Sequence, residues 1–214
     1  MKIAIFLLAA VAAYALGCFN GAILVSKTFF HEDIRQKGSG NAGLTNFYRT
    51  YGVKCVGIMM LIDIAKTVIA MFLGKFLFNH FLQMPQLGQY WSAMFVVLGH
   101  CFPCVFQFKG GKGILCSGTM LCILDWRIAV VGLGLFVVTL LLTKYVSLGS
   151  ILAAASFPFT TWWVFHENPQ FLWIMIIAAI LAAFVIWAHR SNIVRLVKGT
   201  ENKFKLRPGK EQEK

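Results

Sequence analysis

Residues 37–46 read KGSGNAGLTN, and the interpretation of this stretch decides the fold. Gly38, Gly40 and Gly43 satisfy G-x-G-x-x-G, the spacing of a dinucleotide-binding turn. Such a turn belongs at the end of a β-strand, opening the helix of a soluble β-α-β unit. Here HEDIRQ precedes it, and apolar runs of membrane-spanning length lie on both sides. The glycines therefore mark a loop between helices.

Outward from this loop the composition agrees. Of 214 residues, 58% are hydrophobic and 13% are charged, too few charges to cover a soluble protein of this size. Apolar segments run roughly over 3–26, 52–78, 90–108, 112–125, 127–144, 147–166 and 170–188. Backbone polar groups in lipid need partners inside their own segment, so each is read as a helix. The expected fold class is an all-α integral membrane protein, a seven-helix transmembrane bundle. The fourth segment is short, about 21 Å at 1.5 Å per residue. The first follows Lys2 and passes Leu16-Gly17-Cys18, imitating a lipoprotein signal peptide. It continues to Val25, however, and is read as an uncleaved span. Residues 1–201 form a single polytopic domain, and 202–214 a basic cytoplasmic tail.

Basic residues set the orientation. Lys27, Arg35, Lys37 and Arg49 crowd the first loop, residues 79–89 hold none, and Lys109 and Lys112 follow. Only Arg127 marks the next connection, then Lys144, then none around His166-Glu167, while the tail after Trp187 is strongly basic. This alternation places the N-terminus outside and the C-terminus in the cytoplasm. It also places the three stretches richest in Gly, Asn, Lys, Arg and His (37–49, 100–113 and 189–201) on the cytoplasmic side, free to converge.

All three carry groups suited to anions. Around Gly38, Ser39, Gly40 and Gly43, small residues suit a nest of backbone N–H groups. Asn41, Thr45 and Asn46 add hydrogen bonds, and Arg49 a fixed fork matched to phosphate. Lys109-Gly110-Gly111-Lys112-Gly113 is a cationic turn at a helix start, although Phe106 and Gly113 exclude a Walker A loop. If a helix continues past Trp187, His189, Asn192 and Arg195 share one face. Inside the second span Asp63 and Lys66 are read first as a structural pair.

Other chemistries are excluded. There is no G-x-S-x-G elbow and no His followed by Asp after four residues. No cluster of histidines and carboxylates offers metal ligands, so no metal and no cofactor are expected. Cys101-Phe102-Pro103-Cys104 lacks the companions of a zinc site. All six cysteines are read as buried small hydrophobes. Scarce carboxylates and abundant anion binders point to phosphate ligands and electrostatic catalysis. A transporter or flippase for phosphorylated anions is the alternative, but no internal repeat supports it.

Taken together, GSGNAGLTNFYR (38–49), GHCFPCVFQFKGGKG (99–113) and HRSNIVRLVKGTE (189–201) resemble the signature of the PlsY family, bacterial membrane acyl-phosphate:glycerol-3-phosphate acyltransferases. The resemblance covers nearly the whole chain. Where the family tends to have Gly-Ser and a Pro-containing turn, this chain has Gly17-Cys18-Phe19-Asn20, and Thr67 stands where Gly usually follows the Asp-x-x-Lys pair. The resemblance implies acyl transfer from acyl-phosphate to the 1-hydroxyl of glycerol-3-phosphate, giving lysophosphatidic acid and phosphate. It implies a multi-pass protein of the bacterial cytoplasmic (inner) membrane, with its site at the cytoplasmic face. Membrane lipid and an acyl-phosphate-producing enzyme are the implied partners, and no nucleic acid. The catalytic candidates are Ser39, Lys112, His189 and Asn192. The substrate-binding candidates are Gly38, Gly40, Asn41, Gly43, Thr45, Asn46, Arg49, Lys109, Gly110, Gly111, Gly113 and Arg195. Attack is expected to be direct, without an acyl-enzyme.

Overall fold

A computed structural model describes residues 1–204 and is all-helical over them. The longer helices are α1 (Lys2–Gly17), which α2 (Gly21–Phe29) extends after a break, α4 (Val56–Leu82), α5 (Pro85–Cys101), α7 (Trp126–Thr143), α8 (Val146–Phe165) and α9 (Phe171–Ala188). Shorter ones are α3 (Leu44–Tyr51), α6 (Ile114–Leu124) and α10 (Arg190–Val197), with 3-10 turns at Ile34–Gln36 and Cys104–Phe106. Counting α1 and α2 together, six are long and apolar enough to cross a membrane. The α6 helix, with 11 residues, rises about 16 Å and is shorter than those six. Leu7, Phe72, Leu142, Phe159 and Leu172 point outward, an apolar surface suited to lipid rather than water.

Two packing features position the polar loops. First, the 3–26 segment is not one helix. It breaks after Gly17, and Asn20 restarts it by accepting a hydrogen bond from Ile23 N (3.1 Å), the N-cap that orphan helix amides require. At the break α1 lies against α5 so closely that a Cβ on Gly17 would sit 2.5 Å from Val96 O. Second, the main core draws on α1, α4, α5, α6, α7, α8 and α9, with Tyr90 of α5 and Phe157 of α8 stacked inside it. A smaller cluster of Ile23, Val25, Ile34, Ala42, Phe47 and Met59 lies beneath the first polar loop. That loop is therefore anchored by buried side chains on both flanks, leaving its middle to face outward.

The cysteines divide. Cys18, Cys101 and Cys116 are buried as expected, but Cys104 and Cys122 are exposed and Cys55 is half-buried. Within the C-x-x-C stretch, Cys104 approaches Cys18 (Sγ–Sγ 3.8 Å), because the turn at 104–106 directs it toward the α1–α2 break. Of the basic tail, Lys203 lies over the Tyr145 ring and Phe204 N donates to Lys144 O (2.7 Å). Its remainder lies outside the described residues.

Candidate active site

The three polar stretches meet around one cavity of about 690 Å³. Its polar end is lined by Ser39, Gly40, Asn41, Gly43, Thr45, Asn46 and Arg49 from the first loop. Lys109 to Gly113 contribute from the second, and His189, Asn192 and Arg195 from the third. Between α6, α7, α8 and α9 the wall turns apolar, with Leu121, Leu133, Phe136, Phe157 and Leu181. Of the catalytic and substrate-binding candidates, Gly38 alone does not line the cavity.

The first loop is braced from within. Asn46, buried, accepts from Ser39 N (2.9 Å) and donates to Lys37 O (3.0 Å). Gly38 and Gly40 take positive φ, and a side chain on Gly38 would collide with the Asn46 carboxamide. Arg35 ties the first loop to the second. It pairs with Asp33 (2.7 Å) and donates to Phe106 O (2.7 Å) and Lys109 O (3.2 Å). The Arg35 guanidinium holds the Asp33 carboxyl down at about 2.

Several of the amides expected to form a nest are spent inside the protein, while others are not. Ser39 N, Gly40 N and Gly43 N donate within the first loop, and Gly110 N and Gly111 N donate to the end of α5, whereas Gly38 N, Asn41 N, Lys112 N and Gly113 N donate to no group among the described residues. The glycines serve close packing: a Cβ on Gly111 would strike the His100 ring and come within 2.5 Å of Ala42 O. Asn46 likewise braces the loop. Beside these amides the cavity wall carries the polar and cationic side chains of Ser39, Asn41, Thr45, Arg49, Lys109 and Lys112. Neither Arg49 nor Lys109 has an ion-pair partner among the described residues.

The third stretch forms a connected set. The helix turns at His189 rather than running through, and α10 starts afresh, yet His189 and Asn192 are both buried at the cavity wall. Lys112 donates to Asn192 Oδ1. Asn192 Nδ2 donates to Glu201 Oε1 (2.7 Å), which also accepts from Ser147 (2.8 Å), while Arg195 binds Oε2 (2.7 Å). Burial, with Arg195 and Arg190 nearby, pulls the Lys112 ammonium down to about 8. His189 Nδ1 lies 2.8 Å from Val185 O. A carbonyl only accepts, so Nδ1 carries the proton and Nε2 presents a lone pair. Burial lowers His189 to about 4, with the nearby Lys112 charge adding to the effect. The imidazole is therefore neutral at physiological pH.

Three residues in or beside this site, Glu201, His100 and Asn20, were not among the sequence candidates. Glu201 is the sole carboxylate in the third motif, and its isolation among cations was the available signal. His100 lies in the second quoted motif, but its role there could not be read because its partners are remote in sequence, and Asn20 carried no signal. Inside the bundle Lys66 Nζ meets Asp63 Oδ1 (2.8 Å), His100 Nδ1 (2.9 Å), Phe19 O (2.8 Å) and Gly17 O (3.1 Å). The structural pairing of Asp63 with Lys66 is thus observed. Contrary to expectation, a potential metal-ligand group also assembles, from Asp63, His100 and Cys116. The Lys66 ammonium already stands against two of its three ligand atoms, supplying the positive charge a metal would bring.

The family model for glycerol-3-phosphate acyltransferase matches residues 7–199. A glycerol-3-phosphate acyltransferase of Thermoanaerobacter sp. (strain X514) is 39% identical over 196 residues, covering 92% of this chain and 94% of the relative. One from Clostridioides difficile (strain 630) is 38% identical over 204 residues, covering 95% and 97%. Among solved structures, the glycerol 3-phosphate form of PlsY (YgiH), an integral membrane glycerol 3-phosphate acyltransferase, superposes with a TM-score of 0.79 at 28% identity. That match covers 94% of this chain and 96% of the other. The lysophosphatidic acid form of the same protein gives 0.77 at 27% identity, with the same coverage. The chain is a member of the PlsY family of integral membrane glycerol-3-phosphate acyltransferases.

Proposed function

We propose that the acyl donor is an acyl-phosphate and that transfer to glycerol-3-phosphate is direct. One observation carries this reading: a single cavity joins a cationic end, rich in phosphate-binding side chains, to an apolar end between four helices. A phosphorylated acyl chain fits both ends, and a second phosphorylated substrate accounts for cations beyond those one phosphate needs. In this reading Ser39, Asn41 and Lys112 hold the donor phosphate and the developing oxyanion. Arg49 and Lys109 hold glycerol-3-phosphate, and Leu121, Phe136 and Phe157 line the acyl path. The lone pair on His189 Nε2 accepts a hydrogen bond from the 1-hydroxyl and aims it at the acyl carbon.

Chemically, the glycerol oxygen forms the ester bond as the acyl carbon–phosphate oxygen bond breaks. The departing phosphate takes the hydroxyl proton. A histidine held at about 4 is a weak proton acceptor, which favours the phosphate as base and His189 as the group that positions the nucleophile. Ser39 has no base within the hydrogen bonds of its loop, which favours direct transfer over an acyl-serine.

The charge pattern further supports seven crossings, with α6 as the short one, the N-terminus outside and the cavity mouth at the cytoplasmic side of the bacterial inner membrane. The decisive experiment supplies purified protein in detergent with acyl-phosphate and labelled glycerol-3-phosphate, without coenzyme A, carrier protein or metal. Labelled lysophosphatidic acid and stoichiometric phosphate are expected. Turnover only with a thioester donor, or an acylated Ser39 trapped by rapid quench, overturns the reading.

A further inference from the structure

We infer that Asn20 is a positioning residue whose carboxamide latches the first and second polar loops together, so that Asn41 and Lys112 face one substrate phosphate. The inference rests on the proposed reaction for its functional meaning, and on geometry for its substance.

Asn20 sits in the break between α1 and α2 and is fully buried. Its Oδ1 caps α2 by accepting from Ile23 N (3.1 Å). The cap leaves the two Nδ2 hydrogens free, and a buried amide must place them. Nδ2 donates to Ala42 O (3.2 Å) and His100 O (3.4 Å) and lies 3.5 Å from His100 Nε2. Ala42 lies between Asn41 and Gly43 in the first loop. The His100 carbonyl also accepts Gly111 N (3.2 Å), next to Lys112 in the second. One side chain thus bonds the first loop directly, beside Asn41, and reaches the second through the His100 carbonyl near the end of α5, an acceptor it shares with Gly111 N. His100 is in turn held by Lys66, which also binds the carbonyls of Gly17 and Phe19 beside Asn20.

Capping and latching call for different chemistry. Serine caps a helix about as well as asparagine but lacks the carboxamide donors that span both loops. Aspartate keeps the cap and also lacks the donors. Asn20→Ser therefore removes the latch and spares the cap, with Asn20→Asp as the second variant should the serine form fail to purify.

Two readouts separate a latch from a structural cap. Hydrogen–deuterium exchange at residues 109–113 follows the latch whether or not the donor is correctly assigned. Kinetics with both substrates follow its effect on the site. The expected result is faster exchange at the Gly110 and Gly111 amides, unchanged exchange along α2, and a loss of about tenfold in kcat/KM carried by both KM values. Wild-type exchange at 109–113 in the folded Asn20→Ser or Asn20→Asp protein overturns the latch, whatever the activity. Loosened loops with undiminished kcat/KM overturn its role in positioning. Failure of the wild-type chain to use acyl-phosphate instead overturns the donor assignment and leaves the exchange result to decide the latch.

Discussion

Lys112 and Asn192, 80 residues apart in the chain, are joined by a hydrogen bond from the lysine ammonium to the asparagine side-chain oxygen. Asn192 in turn donates to Glu201, so the second and third motifs are joined by one chain of hydrogen bonds. Asn192→Ala breaks both contacts at once. Hydrogen bonds to charged groups are worth about 1.5–3 kcal/mol each, and misplacing Lys112 adds to the loss. A fall in kcat/KM of roughly 100-fold is expected, with the purified variant still monodisperse and helical. Steady-state kinetics beside circular dichroism check it, and near wild-type turnover would show that Lys112 needs no such anchor.

The pH profile follows from two groups. Lys112, held at about 8, keeps its charge below that value and loses it above, so substrate affinity weakens as pH rises through 8. His189, held at about 4, offers its lone pair above that value and loses it only in stronger acid. From these two groups, kcat/KM is flat between about pH 5 and 7 and declines on the alkaline side. Arginine stays charged throughout, so Lys112→Arg, at whatever absolute rate, flattens the alkaline limb. A limb unchanged in Lys112→Arg would assign it to another group.

Much of this site was legible in the primary sequence because its parts are short, local and chemically marked. KGSGNAGLTN, KGGKG and HRSN each concentrate small, cationic or amide residues, and alternating basic loops put them on one side. What was hidden required contact across the bundle. Asn20 matters through the carbonyls of Ala42 and His100, and His100 through Lys66, all far along the chain from their partners. Which loop amides stay open was hidden for a related reason: whether an amide donates to its own loop, as Ser39 N does to Asn46, depends on neighbours that spacing does not reveal. Helix continuity failed at 3–26 and at His189, since nothing in a run of apolar residues shows where a side chain such as Asn20 interrupts it.

The buried Asp63–Lys66 pair makes an asymmetric prediction. Removing one partner strands the other charge in the bundle, at a cost of about 3–5 kcal/mol. Lys66→Met and Asp63→Leu are each expected to lower the thermal midpoint in detergent sharply and to reduce the yield of monodisperse protein. The double variant, with no charge left to strand, is expected to recover much of that loss. Asp63 Oδ2, which has no hydrogen-bond partner, strengthens the expectation, because the carboxylate is not fully satisfied even when paired. Additive losses in the double variant would contradict the coupling.

Glycine substitutions separate packing from mere flexibility. A Cβ on Gly111 meets the His100 ring and lies 2.5 Å from Ala42 O, where the first and second loops touch. Neither neighbour can retreat: His100 is bound by Lys66, and Ala42 is buried with its carbonyl engaged by Asn20. Gly134, on α7, has no atom within 4 Å of the same position. Gly111→Ala is therefore expected to push the loops apart and cut kcat/KM by at least tenfold. Gly134→Ala should leave activity unchanged and raise stability by up to about 1 kcal/mol through helix propensity. The two variants add the same methyl group, so their divergence in one assay measures the cost of separating the loops. Equal and mild effects would mean that the contact at Gly111 yields without disturbing the site.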